Sequence, residues 1–392
     1  MNVLMISDVY FPRVNGVSTS IETFRKELSQ RGASVTLIAP DYGAHGEEKD
    51  IIRIPSKKVM FDPEDRMMSY RSIIALKEEL RDREFDLVHI QTPFVAHYAG
   101  VAMAKELGVP KIVTYHTFFE EYLYHYIPFL PASWMRALAR GFSRTQCNDV
   151  DGIVVPSHAM AKTLEQYGVQ KPLHLIPTGI PEAMFESGER AAFREKYGIP
   201  HDTPVMLFVG RVAFEKNLEF LLHATDMARR KIPDLLLVIA GEGPALKSIE
   251  KLAGSLNLEK NVRMIGYLDR EKGLRDCYSA ADVFVFASRT ETQGLVLLEA
   301  MAAGVPVIST AHMGTKDILK EESGAVVPQD DVTDFAEAIT DMIHKVELRS
   351  ERALQAHRYA RTWSSGAMAD KMRDLYKNMK EGSSTGAPIT VR

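Results

Sequence analysis

The chain has 392 residues, of which 45% are hydrophobic and 26% are charged, and its formal net charge is −4. It exceeds the roughly 250–300 residues at which a single hydrophobic core usually divides, so we expect two domains of a soluble globular protein. The slightly acidic balance excludes the global basic field of a nucleic-acid-binding protein.

Cysteine usage and the N-terminal sequence bear on location. Cys147 and Cys277 are the only cysteines, which argues against a disulfide framework or a cysteine-based zinc site and favours the cytoplasm. The first residues, MNVLMISDVYFPRVNG, carry no basic region before their apolar run, so we expect no signal peptide. Because no apolar run approaches the roughly 20 residues of a membrane helix, we expect any contact with the plasma membrane to be peripheral, on its inner face.

Short runs rich in Val, Ile and Leu recur along the chain, each followed by a turn signal and a helical pattern. Continuous apolar runs are typical of parallel strands covered by helices on both faces. We expect helices over 18–31 and 218–231 to complete βαβ units. The first half contains NVLMISD, SVTLIAP, DLVHIQ, KIVTYH and DGIVVPS, and the second half contains PVMLFVG, DLLLVIAG, NVRMIGYL, DVFVFAS, VPVIST and GAVVP.

This pattern occurs twice, with a junction near LHLIPTGIPEAMF, where Pro177, Gly179 and Pro181 interrupt it. We therefore expect an α/β protein with two Rossmann-like, doubly wound domains over residues 1–175 and 176–362. Facing each other across a cleft, they would line it with the C-terminal ends of their strands, where open α/β sheets bind ligands.

The C-terminal segment is expected to divide into two parts. A helix over 363–380 would cross back to the first domain. The tail 381–392, EGSSTGAPITVR, has a composition typical of disorder.

In chain order, the first candidate site is VNGVSTSIETF. Gly16 follows the first predicted strand and precedes a helix that we expect Ser18 or Thr19 to cap. By itself this glycine indicates no more than a turn.

The stretch TYHTFFEEYLYHYIP places His116 at the end of a predicted strand, where its imidazole would project into the cleft. A lone histidine at a strand end is more often structural than catalytic. The residues alone therefore leave both roles open.

The stretch PASWMRALARGFSRTQC predicts a helix with two distinct faces. The basic face carries Arg136, Arg140 and Arg144, and the apolar face carries Trp134, Leu138 and Phe142. A basic amphipathic helix favours contact with an anionic membrane surface. A core helix with a solvated basic face explains the pattern equally well.

Two cations follow a strand in FVGRVAFEKNLEFLL, where Arg211 and Lys216 come after Gly210. At the C-terminal end of a strand they could neutralise a diphosphate leaving group without a metal ion. Solvated loop charges are the usual alternative for such a pair.

Two further stretches imitate known motifs. In AGEGPALK, Gly241 and Gly243 partly match the dinucleotide fingerprint G-x-G-x-x-G, but Leu246 stands at its third glycine. In NDVDG, Asp149 and Asp151 have the D-x-D form of a metal-binding motif, but they precede a strand and so lie at the wrong edge of the sheet. We expect neither an NAD site nor a metal site from them.

The stretch RTETQGLVLLEAMAAGVPVIST carries Glu291 and Glu299 in an otherwise apolar setting. It predicts a helix starting near Gly294, whose unpaired N–H groups and partial positive charge form a seat for phosphate. A glutamate among buried leucines needs a polar partner, such as a sugar or a ribose diol. The alternative is an N-terminal acid plus a solvated helix glutamate.

This stretch resembles the E-x7-E signature of family 4 retaining glycosyltransferases, which have the GT-B fold of two Rossmann-like domains. The resemblance implies that Glu291 bonds the hydroxyls of the donor sugar and that Glu299 holds the nucleotide ribose. It also implies that the backbone N–H groups of Gly294 and Leu295 cap the distal phosphate.

The resemblance extends along nearly the whole chain. GRVAFEKNL is similar to the family motif G-R-x-x-x-x-K-N-L, which assigns Arg211 and Lys216 to the diphosphate. The resemblance also implies that His116 touches the donor sugar near the reacting centre and that the loop of Gly16 closes over the donor phosphate. The turn of Gly241 and Glu242 is implied to lie near the nucleotide.

YHTFFEEYLYHYIP resembles the Y-H-T-x-x-E-[DE]-Y-x-H-Y stretch of bacterial 1,2-diacylglycerol 3-alpha-glucosyltransferases, from which it differs by one inserted tyrosine. Glu120, Glu121 and Tyr122 are thereby implied on the acceptor side, together with the basic amphipathic helix.

The implied activity is that of a retaining hexosyltransferase that moves glucose from UDP-glucose to diacylglycerol and requires no metal or other cofactor. A GDP-mannose-dependent mannosyltransferase acting on a lipid or soluble glycan is the alternative, because nothing in the sequence separates uracil from guanine. An NAD-dependent oxidoreductase would leave both glutamates and both cations unexplained, as would a catalytically silent GT-B scaffold.

Overall fold

The computed structural model describes residues 1–43, 48–58, 66–116, 132–269 and 272–382, with the backbone alone at positions 132, 133, 135 and 136. The chain divides into two compact units. Unit 1 comprises Met1–Gly179 and Ser365–Arg392, and unit 2 comprises Ile180–Ser364. The borders lie slightly beyond the predicted ones at 175 and 362. All but the first two residues of the tail 381–392 lie outside the described residues.

Unit 1 is built on a parallel sheet. Its described strands are β1 (Asn2–Ile6), β2 (Ser34–Pro40), β3 (Ile51–Ile54), β4 (Ser56–Lys58), β5 (Arg66–Met68), β6 (Leu87–Ile90), β7 (Lys111–Thr114), β8 (Gly152–Val155) and β9 (Leu173–Leu175). The sheet order is β3-β2-β1-β6-β7-β8-β9, and β4 and β5 form a separate antiparallel ribbon. The helices are α1 (Gly16–Gln30), α2 (Tyr70–Ala75), α3 (Lys77–Arg81), α4 (Val95–Leu107), α5 (Ala132–Asn148) and α6 (His158–Gln166).

Unit 2 repeats this architecture. Its described strands are β10 (Val205–Val209), β11 (Leu236–Ala240), β12 (Val262–Gly266), β13 (Val283–Phe286) and β14 (Val307–Ser309), in the parallel order β12-β11-β10-β13-β14. The helices are α7 (Arg190–Lys196), α8 (Leu218–Ala228), α9 (Leu246–Ser255), α10 (Gly273–Ala280), α11 (Leu295–Ala302), α12 (Thr315–Ile318), α13 (Val332–His344) and α14 (Val346–Ala360). The predicted class, α/β with two doubly wound Rossmann-like domains, is confirmed.

The sheet of unit 1 separates two apolar layers, because successive side chains of a strand point to opposite faces. Val3 and Met5 of β1 lie in one layer, and Leu4 and Ile6 lie in the other. This burial on both faces explains why the strand reads as a continuous apolar run.

The last helix, α15 (Ser365–Lys380), packs in unit 1 against α1. Met372 and Tyr376 are fully buried in the same apolar layer as Ile21 of α1. At the helix surface, Arg31 Nε lies 3.1 Å from Asp370 Oδ1. The C-terminal segment is thus part of the core of unit 1.

Some predicted elements differ from the observed ones. GAVVP contributes only an isolated bridge, between Val326 and Ile308, and forms no strand of its own. Gly324 has a left-handed φ of 72° and Pro328 lacks an N–H donor, so the run cannot extend its pairing. Helix α8 ends at Ala228 instead of residue 231.

Candidate active site

The loops that follow β10 and β13 lie side by side, because these parallel strands are neighbours in the sheet of unit 2. Asn217 Nδ2 donates a hydrogen bond of 3.2 Å to the backbone oxygen of Ala287. Ser288 Oγ donates one of 3.2 Å to the backbone oxygen of Glu215. These two hydrogen bonds tie together the loops that carry the predicted cations and the predicted sugar-binding carboxylate.

The two loops place Lys216 and Glu291 in direct contact. Lys216 Nζ lies 2.6 Å from Glu291 Oε2, and the side chains are 20% and 19% exposed. Asn217 closes the turn behind the lysine in a left-handed conformation with φ 56°. Arg211 lies just beyond β10 and is half-buried. Lys216 is predicted to bind the diphosphate and Glu291 the sugar, and the sequence did not predict an ion pair between them.

Helix α11 begins directly after Gly294. This glycine has a left-handed φ of 96°, and a Cβ there would lie 3.1 Å from Leu297 Cδ1 and 3.2 Å from Thr315 Cγ2. Backbone conformation and packing therefore both favour glycine. The helix presents its first N–H groups, starting at Leu295, with the partial positive charge of a helix N-terminus, an arrangement suited to phosphate.

Glu299 lies inside α11 and is only 2% exposed. Its neighbours Leu298 and Ala300 are fully buried. Tyr278 Oη, from α10, donates a hydrogen bond of 2.9 Å to Glu299 Oε2. This donor offsets part of the cost of burying a carboxylate, and no local feature of the sequence indicates it.

The Gly-Glu-Gly turn after β11 packs against the loop after β10. A Cβ at Gly241 would lie 1.9 Å from the backbone oxygen of Gly210, and one at Gly243 would lie 2.4 Å from that of Val212. The N–H of Val212 donates a 2.9 Å hydrogen bond to the backbone oxygen of Glu242, whose side chain is exposed. Close backbone packing explains both glycines without a dinucleotide ligand.

The loop after β14 also contacts the loop of Glu291, which the sequence analysis missed. The N–H of Gly314 donates a 2.9 Å hydrogen bond to the backbone oxygen of Glu291, and a Cβ at Gly314 would lie only 1.9 Å from another backbone oxygen of that loop. Asp330 pairs with Arg289 at 3.0 Å and with His312 at 3.2 Å. Gly314, which soon follows the run VPVIST, is the sequence feature that could have indicated this contact.

In unit 1, α1 begins at Gly16 with a cap that differs from the prediction. Asn15 holds the cap position, and its Oδ1 accepts a hydrogen bond of 2.9 Å from the N–H of Ser18. Ser18 and Thr19 already lie inside the helix, so neither can cap it. A Cβ at Gly16 would meet no described heavy atom within 4 Å, so local packing does not require a glycine there.

His116 follows β7 and is half-buried. Its Nε2 lies 3.0 Å from Oε1 of Gln91, which follows the neighbouring strand β6. Burial lowers the pKa of His116 to about 4, so the imidazole is neutral at physiological pH. A cavity of about 30 Å³ lies beside it, lined also by Val17 of α1 and Gln146 of α5.

His89 forms a second buried histidine site, which the apolar run DLVHIQ concealed. Its Nδ1 lies 2.6 Å from Tyr376 Oη of α15, and its Nε2 lies 2.7 Å from Thr114 Oγ1 of β7. Burial, and then the nearby His116, lower the pKa of His89 to about 3. It therefore links α15 to the strands beneath His116 as a neutral group.

Asp8 is a buried carboxylate that the sequence analysis also missed. It lies just beyond β1 and accepts hydrogen bonds from Thr92 Oγ1 at 2.8 Å and from the N–H of Ala96 at 3.1 Å. Burial raises the pKa of Asp8 to about 6. The carboxylate holds the first turn of α4 at the end of the sheet.

Helix α5 leaves large apolar side chains on the surface. Trp134 and Leu138 are 68% and 62% exposed, and Arg140 and Arg144 are exposed as well. The buried side of the helix is formed by smaller residues: Ala139, Ser143, Gln146 and Cys147. Phe142, the third residue of the predicted apolar face, is half-buried, so the structure exposes only part of that face.

Some predicted acceptor-side residues cannot be placed. Glu120, Glu121 and Tyr122, and the side chain of Arg136, lie outside the described residues. Among the residues that are described, no three His, Cys, Asp or Glu side chains are grouped so that they could hold a metal ion. In that same part of the chain, no helix combines the length and apolarity needed to cross a membrane.

Comparison with known proteins identifies both units. The family Glycosyltransferase Family 4 matches residues 14–183, and Glycosyl transferases group 1 matches residues 189–363. An alpha-monoglucosyldiacylglycerol synthase of Streptococcus pneumoniae is 35% identical over 82% of this chain and 74% of its own length. A GDP-mannose-dependent alpha-mannosyltransferase of Mycobacterium tuberculosis is 27% identical over 99% of each chain.

A solved structure has the same fold. HepE of Anabaena, crystallised with UDP and glucose, superposes with a TM-score of 0.77 over 96% of this chain and 100% of its own, at 14% identity. The expectation of a GT-B fold is confirmed, and an NAD-dependent oxidoreductase does not fit these matches. With two family matches and a relative 35% identical over most of its length, the chain belongs to glycosyltransferase family 4, a family of GT-B enzymes in the EC 2.4 class.

Proposed function

We propose that the protein is a retaining hexosyltransferase that moves glucose from UDP-glucose to the hydroxyl of diacylglycerol and needs no metal ion or other cofactor. The observation that carries this proposal is the contact between Lys216 and Glu291 beside the N-terminus of α11. A cation, a carboxylate and a helix start lie together there, and they match the phosphates and hydroxyls of a nucleotide diphosphate sugar.

In the proposed reaction, the bond between the anomeric carbon and the phosphate oxygen breaks first. Arg211, Lys216 and the N–H groups that follow Gly294 stabilise the departing diphosphate, which is the principal catalytic contribution. The acceptor hydroxyl attacks the oxocarbenium-like centre from the same face, and its proton passes to the leaving phosphate oxygen. The anomeric configuration is therefore retained.

The remaining groups hold the donor. Glu291 bonds the sugar hydroxyls, and Glu299 bonds the ribose from its buried position in α11. His116 offers a neutral imidazole to the sugar, since burial keeps its pKa near 4. The backbone oxygen of Glu242 accepts a hydrogen bond from the loop after β10. The family resemblance would place the turn of Gly241 and Glu242 near the nucleotide and the loop of Gly16 over the phosphates.

Helix α5 supports the membrane part of the proposal. Its exposed Trp134 and Leu138 would enter the interface of an anionic membrane, and Arg140 and Arg144 would contact lipid headgroups. The enzyme would then meet its lipid acceptor from the cytoplasmic face. The name of the Streptococcus pneumoniae relative contains the same acceptor, diacylglycerol.

Transfer of mannose from GDP-mannose is the alternative. The Mycobacterium tuberculosis relative carries that donor in its name and aligns over nearly its whole length. Because the groups proposed to hold the diphosphate and the sugar would serve either donor, only the donor assay separates the two.

The test is nucleotide release from UDP-glucose, UDP-galactose and GDP-mannose, with and without diacylglycerol liposomes, in EDTA. We expect lipid-dependent release of UDP from UDP-glucose, unaffected by the chelator, and an α-glucolipid by NMR. Turnover only with GDP-mannose would show that the donor is GDP-mannose and not UDP-glucose. Turnover only with soluble acceptors would refute the lipid acceptor. No turnover with any donor would instead support the catalytically silent scaffold.

The membrane contact needs its own variant. Trp134→Ala combined with Leu138→Ala should weaken sedimentation with anionic liposomes about tenfold or more, since it removes two exposed apolar anchors. Val346→Ala with Leu354→Ala, which removes two apolar side chains of similar exposure from α14, is the matched control. Equal liposome binding by both double variants would refute the role of α5.

A further inference from the structure

We infer that Tyr278 is a positioning residue that orients the carboxylate of Glu299 for the nucleotide ribose. This inference rests on the proposed function, because it deepens the role of Glu299 given there. Tyr278 does not itself contact the donor in this proposal. It acts through the hydrogen bond from its Oη to Glu299 Oε2, at 2.9 Å.

The tyrosine ring is fixed by the core of unit 2. Tyr278 is fully buried on α10, and its ring centroid lies 5.8 Å from that of Phe284 on β13. Phe284 in turn stacks on Phe286 of the same strand, at 6.3 Å. A side chain packed in this way has little freedom to change rotamer, so its hydroxyl is a fixed donor.

The hydroxyl reaches two points of α11. Besides Glu299, its oxygen lies 3.4 Å from the backbone oxygen of Val296, three residues earlier on the same helix. The tyrosine therefore ties α10 to the flank of α11, close to the helix start at Gly294.

A buried glutamate has a specific need for such a donor. The terminal torsion of a glutamate is broad, so the plane of its carboxylate is not fixed by staggering alone. A vicinal diol requires an acceptor of defined orientation, and holding that acceptor in place before binding reduces the entropy lost on binding. Tyr278 supplies this constraint from within the protein, on one of the two carboxylate oxygens.

The test is Tyr278→Phe, which keeps the ring and removes only the hydroxyl. We expect the KM for UDP-glucose to rise about tenfold with kcat nearly unchanged, the pattern of a lost contact far from the reacting bond. Tyr278→Phe combined with Glu299→Gln should raise KM no further than Glu299→Gln alone, because the two side chains act as one unit.

A modified donor gives a readout that a purely structural role would not move. A UDP-glucose analogue that lacks both ribose hydroxyls should bind the wild-type enzyme more weakly than UDP-glucose does. In Tyr278→Phe that difference should shrink, because Glu299 no longer presents a fixed acceptor. The matched control is Tyr359→Phe, which should behave as wild type. It removes a hydroxyl that donates a hydrogen bond of 3.4 Å to the backbone oxygen of Asp317.

The outcomes separate two failures. If Glu299→Gln raises KM but Tyr278→Phe does not, the inference is overturned while the ribose role of Glu299 stands. A Glu299→Gln variant with unchanged KM overturns both. Melting temperature and UDP affinity, measured on the same preparations, show whether Tyr278→Phe is folded. If Tyr278→Phe has a lower melting temperature but binds UDP as tightly as the wild type, the inference is also overturned.

Discussion

The contact between Lys216 and Glu291 predicts that the two side chains act together and not as independent ligands. We would combine Lys216→Ala and Glu291→Gln in a double-mutant cycle. Each single variant removes a group proposed to stabilise charge or hold the sugar in the transition state. Each should lower kcat by roughly 100-fold, the typical effect of losing one preorganised polar group that stabilises the transition state.

The geometry sets the size of the coupling. At 2.6 Å, two unit charges attract each other by about 6 kcal/mol at an effective dielectric constant near 20, but desolvation offsets most of this energy. Couplings between contacting groups are roughly 0.5–3 kcal/mol, and we expect about 2 kcal/mol here. Independent effects would multiply to about 10,000-fold, whereas this coupling reduces the combined loss to about 300-fold.

The assay is initial-rate release of UDP at saturating UDP-glucose, with melting temperatures to confirm folding. Lys345→Ala with Asp341→Asn is a matched control, since it breaks a 2.9 Å ion pair at the C-terminal end of α13 whose side chains are 57% and 58% exposed. The control should leave kcat unchanged. A double variant of Lys216 and Glu291 whose loss equals the product of the single losses within twofold would refute the coupled action.

Two further predictions concern unit 1. Burial raises the pKa of Asp8 from 3.8 to about 6, so the folded state keeps a proton that the unfolded state releases. The free energy of unfolding should therefore fall by about 2 kcal/mol between pH 4.5 and 7.5, and Asp8→Asn should remove this change, measured as the difference in urea midpoints at those two pH values. Burial holds the pKa of His116 near 4, so the wild-type activity should show no titration of His116 above pH 5.5. Gln91→Glu should raise the pKa of His116 and reduce turnover on the acidic side of pH 6. Flat pH profiles for both proteins would contradict the contact between His116 and residue 91.

The fold class was predictable because each strand carries its own local signal. PVMLFVG and DVFVFAS are apolar throughout, and the structure buries β10 and β13 on both faces. GAVVP has a similar composition but lacks partners beyond Val326, because pairing depends on the chain before and after the run. Local composition therefore predicts where a strand could form, and tertiary context decides whether it does.

The site was predictable only in part, for the same reason. Gly294 marks the start of α11 through its backbone conformation, which is a local property. The contact between Lys216 and Glu291 joins residues 75 positions apart, and the contact between Tyr278 and Glu299 joins two different helices. Such contacts depend on strand order and loop length, so no sequence window contains them. The cap at Asn15 shows that even local assignments can move when the helix starts earlier than expected.

The contacts made by the proposed donor-binding groups suggest how binding would proceed. Lys216 contacts Glu291, a group of opposite charge that a diphosphate would have to replace in part. Glu299, by contrast, contacts the neutral hydroxyl of Tyr278, which can stay in place while a ribose is bound. Binding would therefore exchange partners at the phosphate end of the site and add partners at the ribose end. Removal of a partner costs a charged group more free energy than it costs a neutral group. The phosphate end is therefore where a nucleotide diphosphate sugar would gain the most binding free energy over a neutral sugar.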